Sequence, residues 1–154
     1  MSAATIRPVA ARDVHAIAEL QARAWRAEHD GFVDEDHMPT VEDRIVLWNG
    51  VRPGEAWLAE DADGKIVGVV GVANGEVGVL HVDPALADGH GVDDQLLEHA
   101  EQVLRDAGHT TALLWTFVEN QHNRALYERH GWERDGVEEE TLPGVTEIRY
   151  RRVL

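Results

Sequence analysis

The residues with the clearest chemical potential form a strand, a glycine loop and a helix in succession. Glu76–Val82 reads as a strand after the turn Asn74-Gly75, the loop Asp83-Pro84-Ala85-Leu86-Ala87-Asp88-Gly89-His90-Gly91 follows, and a helix opens at Val92. Such a unit aims free backbone N–H groups and the positive end of a helix dipole at one point, which suits a phosphate. Glycines also end strands for steric reasons alone, so the unit by itself leaves phosphate binding open. Other chemistries are easier to exclude. The chain has no cysteine, which removes disulfides, thiolate metal sites and thiol nucleophiles together. Its nine histidines include no H-E-x-x-H pattern, and the cluster His29, Asp30, Asp34, Glu35, Asp36 and His37 lacks a ligand spacing, so no metal is expected. A G-x-S-x-G nucleophile and a P-loop lysine are absent as well.

The elements that must position this unit belong to one domain. At 154 residues the chain has room for one hydrophobic core, expected to span 1–154, and an apolar fraction of 44% is that of a globular protein. The longest apolar stretches, such as Val69-Val70-Gly71-Val72-Ala73, fall far short of the ~20 residues that span a bilayer. Met1–Thr5 carries no basic region ahead of an apolar run, so a cytoplasmic location is expected. Acidic residues number 29 against 14 basic ones, for a formal charge of −15, and Lys65 is the only lysine. That balance disfavours nucleic acid and anionic membrane as partners, because both are bound by neutralising phosphates. It favours cationic or amine-bearing partners, although an acidic surface also serves solubility alone.

Along the chain, Thr5–Val9 predicts an edge strand containing Pro8, and Val14 to Trp25 a helix with one apolar face. Glu28 to Thr40 reads as irregular, and Val41 to Val51 as a short helix. Glu55–Glu60 and Lys65–Val72 flank Asp61-Ala62-Asp63-Gly64, a hairpin signal, and Glu76–Val82 follows the second turn. Val92 to Ala107 is the clearest helix, Thr110 to Val118 a buried strand, and Asn120 to His130 a helix ended by Gly131. Trp132-Glu133 and Val145–Val153 read as closing strands. The order implies an α/β fold, with a mostly antiparallel mixed sheet of six to seven strands and helices on both faces.

Two stretches resemble a known family. Leu80-His81-Val82-Asp83-Pro84, followed by Gly89-x-Gly91 and Leu96-Leu97, is similar to the acyl-CoA-binding motif of the GNAT superfamily of N-acetyltransferases. Glu119 to Trp132 resembles that family's second signature, N-x-x-A/N-x-x-x-Y-x-x-x-G-F/W, over its whole length. Together with the element order, the resemblance covers nearly the entire chain.

The resemblance implies an acetyl-CoA-dependent transferase acting on the amine of a small molecule or peptide, and it is compatible with a homodimer. It implies that the strand of Glu76–Val82 splays from that of Thr110–Val118. Backbone N–H groups of Leu80 and Val82 would then stabilise the developing oxyanion. Glu76 matches a general-base position and is equally a solvated residue after the Asn74-Gly75 turn; His81 could also reach the acceptor side, the favoured reading being a structural histidine. Tyr127 matches the acid that protonates the departing thiolate. Asn120 and Asn123 match contacts to the CoA arm, and Asn120 is equally a plain helix N-cap. Asp88, Gly89, His90, Gly91, Val92 and Asp93 occupy the pyrophosphate loop, with Arg124 as a nearby positive charge. Trp25 and His29 lie where the acceptor pocket forms. Without cysteine to hold an acyl group, transfer would be direct.

The loop departs from the family's R/Q-x-x-G-x-G/A pattern, since Asp88 replaces the basic or amide residue and Asp93 the final small one. One carboxylate ~5 Å from a phosphate charge costs roughly 3 kcal/mol at an effective dielectric of ~20. Micromolar binding amounts to about 8 kcal/mol in all. Unopposed, these carboxylates favour a second reading, a non-catalytic GNAT-fold binding domain with weak or lost CoA affinity. Complementing the dipole of their own helix is the purely structural use of Asp93 and Asp94.

Overall fold

The structure, a computed structural model, describes residues 4–52, 54–86 and 91–154. Its strands are β1 (Thr5–Pro8), β2 (Ala56–Glu60), β3 (Ile66–Ala73), β4 (Glu76–Val82), β5 (Thr111–Phe117), β6 (Glu133–Leu142) and β7 (Val145–Val153). Its helices are α1 (Val14–His29), α2 (Val41–Asn49), α3 (Val92–Asp106) and α4 (Gln121–Arg129). The seven strands form one mixed sheet in the order β1-β2-β3-β4-β5-β7-β6, antiparallel everywhere except between β4 and β5.

Each face of the sheet is covered because the helices are amphipathic. On one side Ile17, Ala18 and Leu20 of α1 and Trp48 of α2 pack on Leu58 and Val69. There the buried Trp48 Nε1–H donates to Gln21 Oε1 at 2.7 Å. On the other side Leu96, Leu97 and Leu104 of α3 and Leu126 of α4 join Val70, Leu114, Ile148 and Tyr150 in the main core. Leu96 and Leu97 are fully buried, and each such side chain contributes about 2 kcal/mol. Gly68 lets α3 lie this close. A Cβ at Gly68 would stand 2.7 Å from Leu96 Cδ1 and 3.2 Å from the His81 carbonyl oxygen.

Two elements differ from expectation. The final strand pair is longer at its first member, because β6 runs ten residues, Glu133–Leu142, where only Trp132-Glu133 reads as a strand. Its sequence lacks apolar alternation because it is an exposed edge, and its conformation is imposed by pairing with β7. Helix α1 runs on to His29, so Glu28 belongs to its last turn and not to the irregular segment. Ala24 and His29 are buried there, and this keeps the polar end of the helix wound.

Candidate active site

The site begins as a failure of pairing. β4 and β5 meet only at Glu76–Leu113 and Val77–Leu114, after which the strands part. The cause is local to β4. Against β3, Val79 faces Gly71 while Val77 faces Val72, so Gly78 is an extra, unpaired residue that bends the strand. Beyond the bulge the Asp83 N–H donates to the Val67 carbonyl at 2.8 Å. On an alternating pleat, Leu80 and Val82 therefore turn their N–H groups away from β3 and into the gap.

That gap is a cleft of about 380 Å³ walled by Ala24, Leu80, Val82 and Leu126, with Asn120, Asn123, Asp93 and His122 on its polar side. Apolar walls with a few fixed donors suit a long, thin acyl-carrying arm. A side cavity of about 180 Å³ opens from it, sharing Glu28, Leu80 and Asn123 and adding Trp25, His29, His81, Trp115 and Tyr127. The two cavities thus meet along one edge.

The acidic entrance is answered within the fold. Gly91, with φ of 71°, turns the chain into α3. Asp94 accepts from Arg129 Nε at 3.1 Å and from its Nη2 at 3.2 Å, and lies 2.6 Å from His130 Nε2. Burial alone would raise its carboxyl, but the bond to His130 and the Arg129 charge outweigh that and hold it below the ordinary carboxylate range. Asp93 does line the cleft, with its carboxylate 3.2 Å from His122 Nε2. Of the two carboxylates read as unopposed from sequence, Asp93 has a partner in His122, and Asp88 is outside the described residues; Asp94 is paired as well. The partners come from α4 and the residue that follows it, close in space and remote in chain. Val92 is buried in the main core. Asp88, Gly89 and His90 lie outside the described residues.

Helix α4 carries the remaining family-type residues. Asn120 Oδ1 accepts from Asn123 N–H at 3.1 Å, capping the helix, and Asn120 Nδ2 lies 3.4 Å from His29 Nε2. Tyr127 is 4% exposed, and burial, reinforced by the charges of Glu28 and Asp93, pushes its phenol well above the ordinary range. Arg124 is directed elsewhere. It donates to the Val118 carbonyl at 2.9 Å and approaches Tyr150 Oη at 3.4 Å, lining neither cavity.

On the acceptor side His29 sits in an aromatic box, its ring 4.2 Å from Trp25 and 4.9 Å from Phe117 between centroids. Burial lowers its pKa, so the ring is neutral near pH 7. His81 Nδ1 lies 3.4 Å from Glu28 Oε1. Glu76 lines an adjoining groove of about 320 Å³ with Leu47, Trp48, Val51 and Glu55, which shares Gly78 and Val79 with the side cavity but is not lined by Tyr127. Among the cavity residues that sequence reasoning misses are Glu28, Trp115 and Glu147. Trp115 and Glu147 share a face because Phe117 pairs with Glu147 and Trp115 with Arg149 across β5 and β7. Burial raises the Glu147 carboxyl, and the charges of Glu139 and Glu76 add to this. For Glu28 a signal did exist, namely its spacing of three and four residues from Trp25 and Ala24 on one helical face.

Comparison with known proteins bears on this geometry. The acetyltransferase (GNAT) family matches residues 14–132. The chain belongs to the GNAT acetyltransferase family. It is 36% identical over 131 residues to a mycothiol acetyltransferase of Beutenbergia cavernae, covering 77% of this chain. The chain spans about two fifths of that relative's length, 40%. Its fold matches that of a GCN5-related N-acetyltransferase from Rhodopseudomonas palustris with a TM-score of 0.81 at 14% identity, covering 100% of this chain and 98% of that one. It also matches PaiA N-acetyltransferase from Thermoplasma acidophilum, solved in complex with coenzyme A, with a TM-score of 0.71 at 16% identity over 99% and 100% of the two chains. Among the described residues no GNAT helix here is long and apolar enough to cross a membrane, and no group of His, Asp and Glu is placed to hold a metal ion.

Proposed function

We propose that this chain is an acetyl-CoA-dependent N-acetyltransferase acting directly on the amine of a small molecule or peptide. The observation that carries the proposal is the opening between β4 and β5, into which Leu80 and Val82 turn their N–H groups beside the buried Tyr127. Acetyl-CoA held there would supply an acetyl thioester, an acyl group activated towards amines.

The residues divide the work by environment. Leu80 and Val82 offer preset donors in a partly closed cleft, where negative charge developing on a carbonyl oxygen is stabilised without reorganisation. Asn123, which lines both cavities, is placed to contact the arm, whereas both ends of the Asn120 amide are engaged within the protein. Tyr127 keeps its proton at any physiological pH, so its hydroxyl is present as a donor for a departing thiolate. Gly91 and the start of α3 face the anionic end, with His122 and Arg129 countering Asp93 and Asp94. Glu76 and Glu55 give the adjoining groove a negative rim over an apolar floor, suited to the body of a cationic acceptor.

A second reading, a GNAT-fold binding domain without catalysis, draws on one observation, the Asp93 carboxylate on the cleft wall. Thermal unfolding with acetyl-CoA at low and high salt, paired with mass spectrometry of amine mixtures, separates the two. Stabilisation by micromolar acetyl-CoA with a 42 Da gain on an amine supports the enzyme, the gain being about one acetyl group. Absence of both at either salt concentration supports the binding domain.

A further inference from the structure

The family reading leaves open which group takes the acceptor's proton, and the interior of the side cavity supplies an answer. Glu76, the match from sequence, lines a different groove. His81 and Glu28 instead line the side cavity together with Tyr127 and Asn123. His81 is nearly buried, and its Nδ1 is 3.4 Å from the Glu28 carboxylate.

The hydrogen bonds around Glu28 set its partner. Asn123 N–H must donate, so the Asn120 atom facing it at 3.1 Å is the carbonyl oxygen. The other end of that amide is then its NH2 group, which donates to His29 Nε2. His29 Nε2 is therefore an acceptor and cannot also donate to Glu28 Oε2, 4.0 Å away. The Glu28 charge is left to His81. A carboxylate at Nδ1 selects the Nδ1–H tautomer and makes Nε2 the ring's acceptor. The charged and titratable groups sharing that cavity are Glu28 and His29 from α1, Tyr127 from α4 and Glu147 from β7, while β3 sets Val69 opposite His81.

We propose that His81, oriented by Glu28 as a positioning residue, is the base for the acceptor amine; this rests on the acetyltransferase reading. His81 Nε2 takes one proton from the acceptor ammonium. The freed nitrogen lone pair forms the C–N bond as the C–S bond breaks, its electrons passing to sulfur. Tyr127 protonates that sulfur and is restored by the second proton lost from nitrogen, and His81 returns its own proton to water. One proton is released per turnover.

Two measurements test this. In long-range proton–nitrogen NMR of the protein alone, His81 is expected as the Nδ1–H tautomer, shifting to a mixture in Glu28→Gln; an Nε2–H tautomer in the unaltered chain overturns the proposal. In kinetics, His81→Gln should lower kcat/KM at pH 7 about 100-fold or more and displace its acidic limb to the amine's own pKa, so that the deficit shrinks as pH approaches that value. Glu28→Gln should give a smaller loss with the limb displaced. If the unaltered chain transfers acetyl but His81→Gln keeps its rate and acidic limb, the base is elsewhere and the family activity stands. If the unaltered chain neither binds acetyl-CoA nor acetylates any amine, the underlying reading falls and this assignment falls with it.

Discussion

Asp94 and His130 are held 2.6 Å apart, joining the first turn of α3 to the C-terminal end of α4, with Arg129 paired to the same carboxylate. Because the Asp94 carboxyl is depressed in the folded protein, its stabilisation is present above the unfolded carboxylate range and is lost as pH falls through the lower folded value. Asp94→Asn is expected to cost up to about 1 kcal/mol at pH 7, the group being partly exposed. The cost should be smaller at about pH 3. Urea unfolding at both pH values checks this.

Asp93 is a carboxylate on the cleft wall, and among the described residues His122 is the basic side chain paired with it. Removing its charge should favour a polyanionic ligand. Asp93→Asn is expected to tighten acetyl-CoA binding about tenfold at low salt, or about 1.4 kcal/mol, and less as salt screens the cleft. His122→Ala should act in the opposite sense. Calorimetric titration over a salt series distinguishes these signs.

Tyr127 combines burial with neighbouring negative charge, so its phenol stays protonated far into alkali. Tyr127→Phe should lower kcat by about 100-fold while leaving the acetyl-CoA affinity within about twofold. Since the folded pKa exceeds the unfolded value near 10.0, the tyrosine's contribution to stability is whole below pH 10.0 and is lost as pH climbs through the folded value. Denaturant melts from pH 8 to pH 11 should show the unaltered chain losing stability relative to Tyr127→Phe at the alkaline end.

Gly131 ends α4 with φ of 87°, and the Trp132 N–H returns to the Tyr127 carbonyl at 3.0 Å. A Cβ there would also collide with Arg152 Nη1. Gly131→Ala is expected to destabilise by about 1–2 kcal/mol through left-handed strain and displacement of Arg152 from Glu101. Chemical denaturation measures the loss, and near-ultraviolet circular dichroism of the buried Trp132 should change with it.

Local chemistry determined most of the scaffold in advance. Asn74-Gly75 sets the start of β4, the apolar spacing from Val92 to Leu104 sets α3, and Asn120 with Gly131 brackets α4, since turns, caps and amphipathic periods act over only a few residues. β6 was illegible because an exposed edge strand takes its shape from its partner. The site was half legible for a similar reason. Glycines, Asn120, Asn123 and Tyr127 belong to a contiguous pattern, but whether a carboxylate is opposed or free depends on what another element brings within a few ångströms. Only the packed molecule set His122 against Asp93, Arg129 and His130 against Asp94, and Glu28 against His81, while carrying Glu76 into a different groove. Charge interactions fall off with distance in space, and a linear chain does not record those distances.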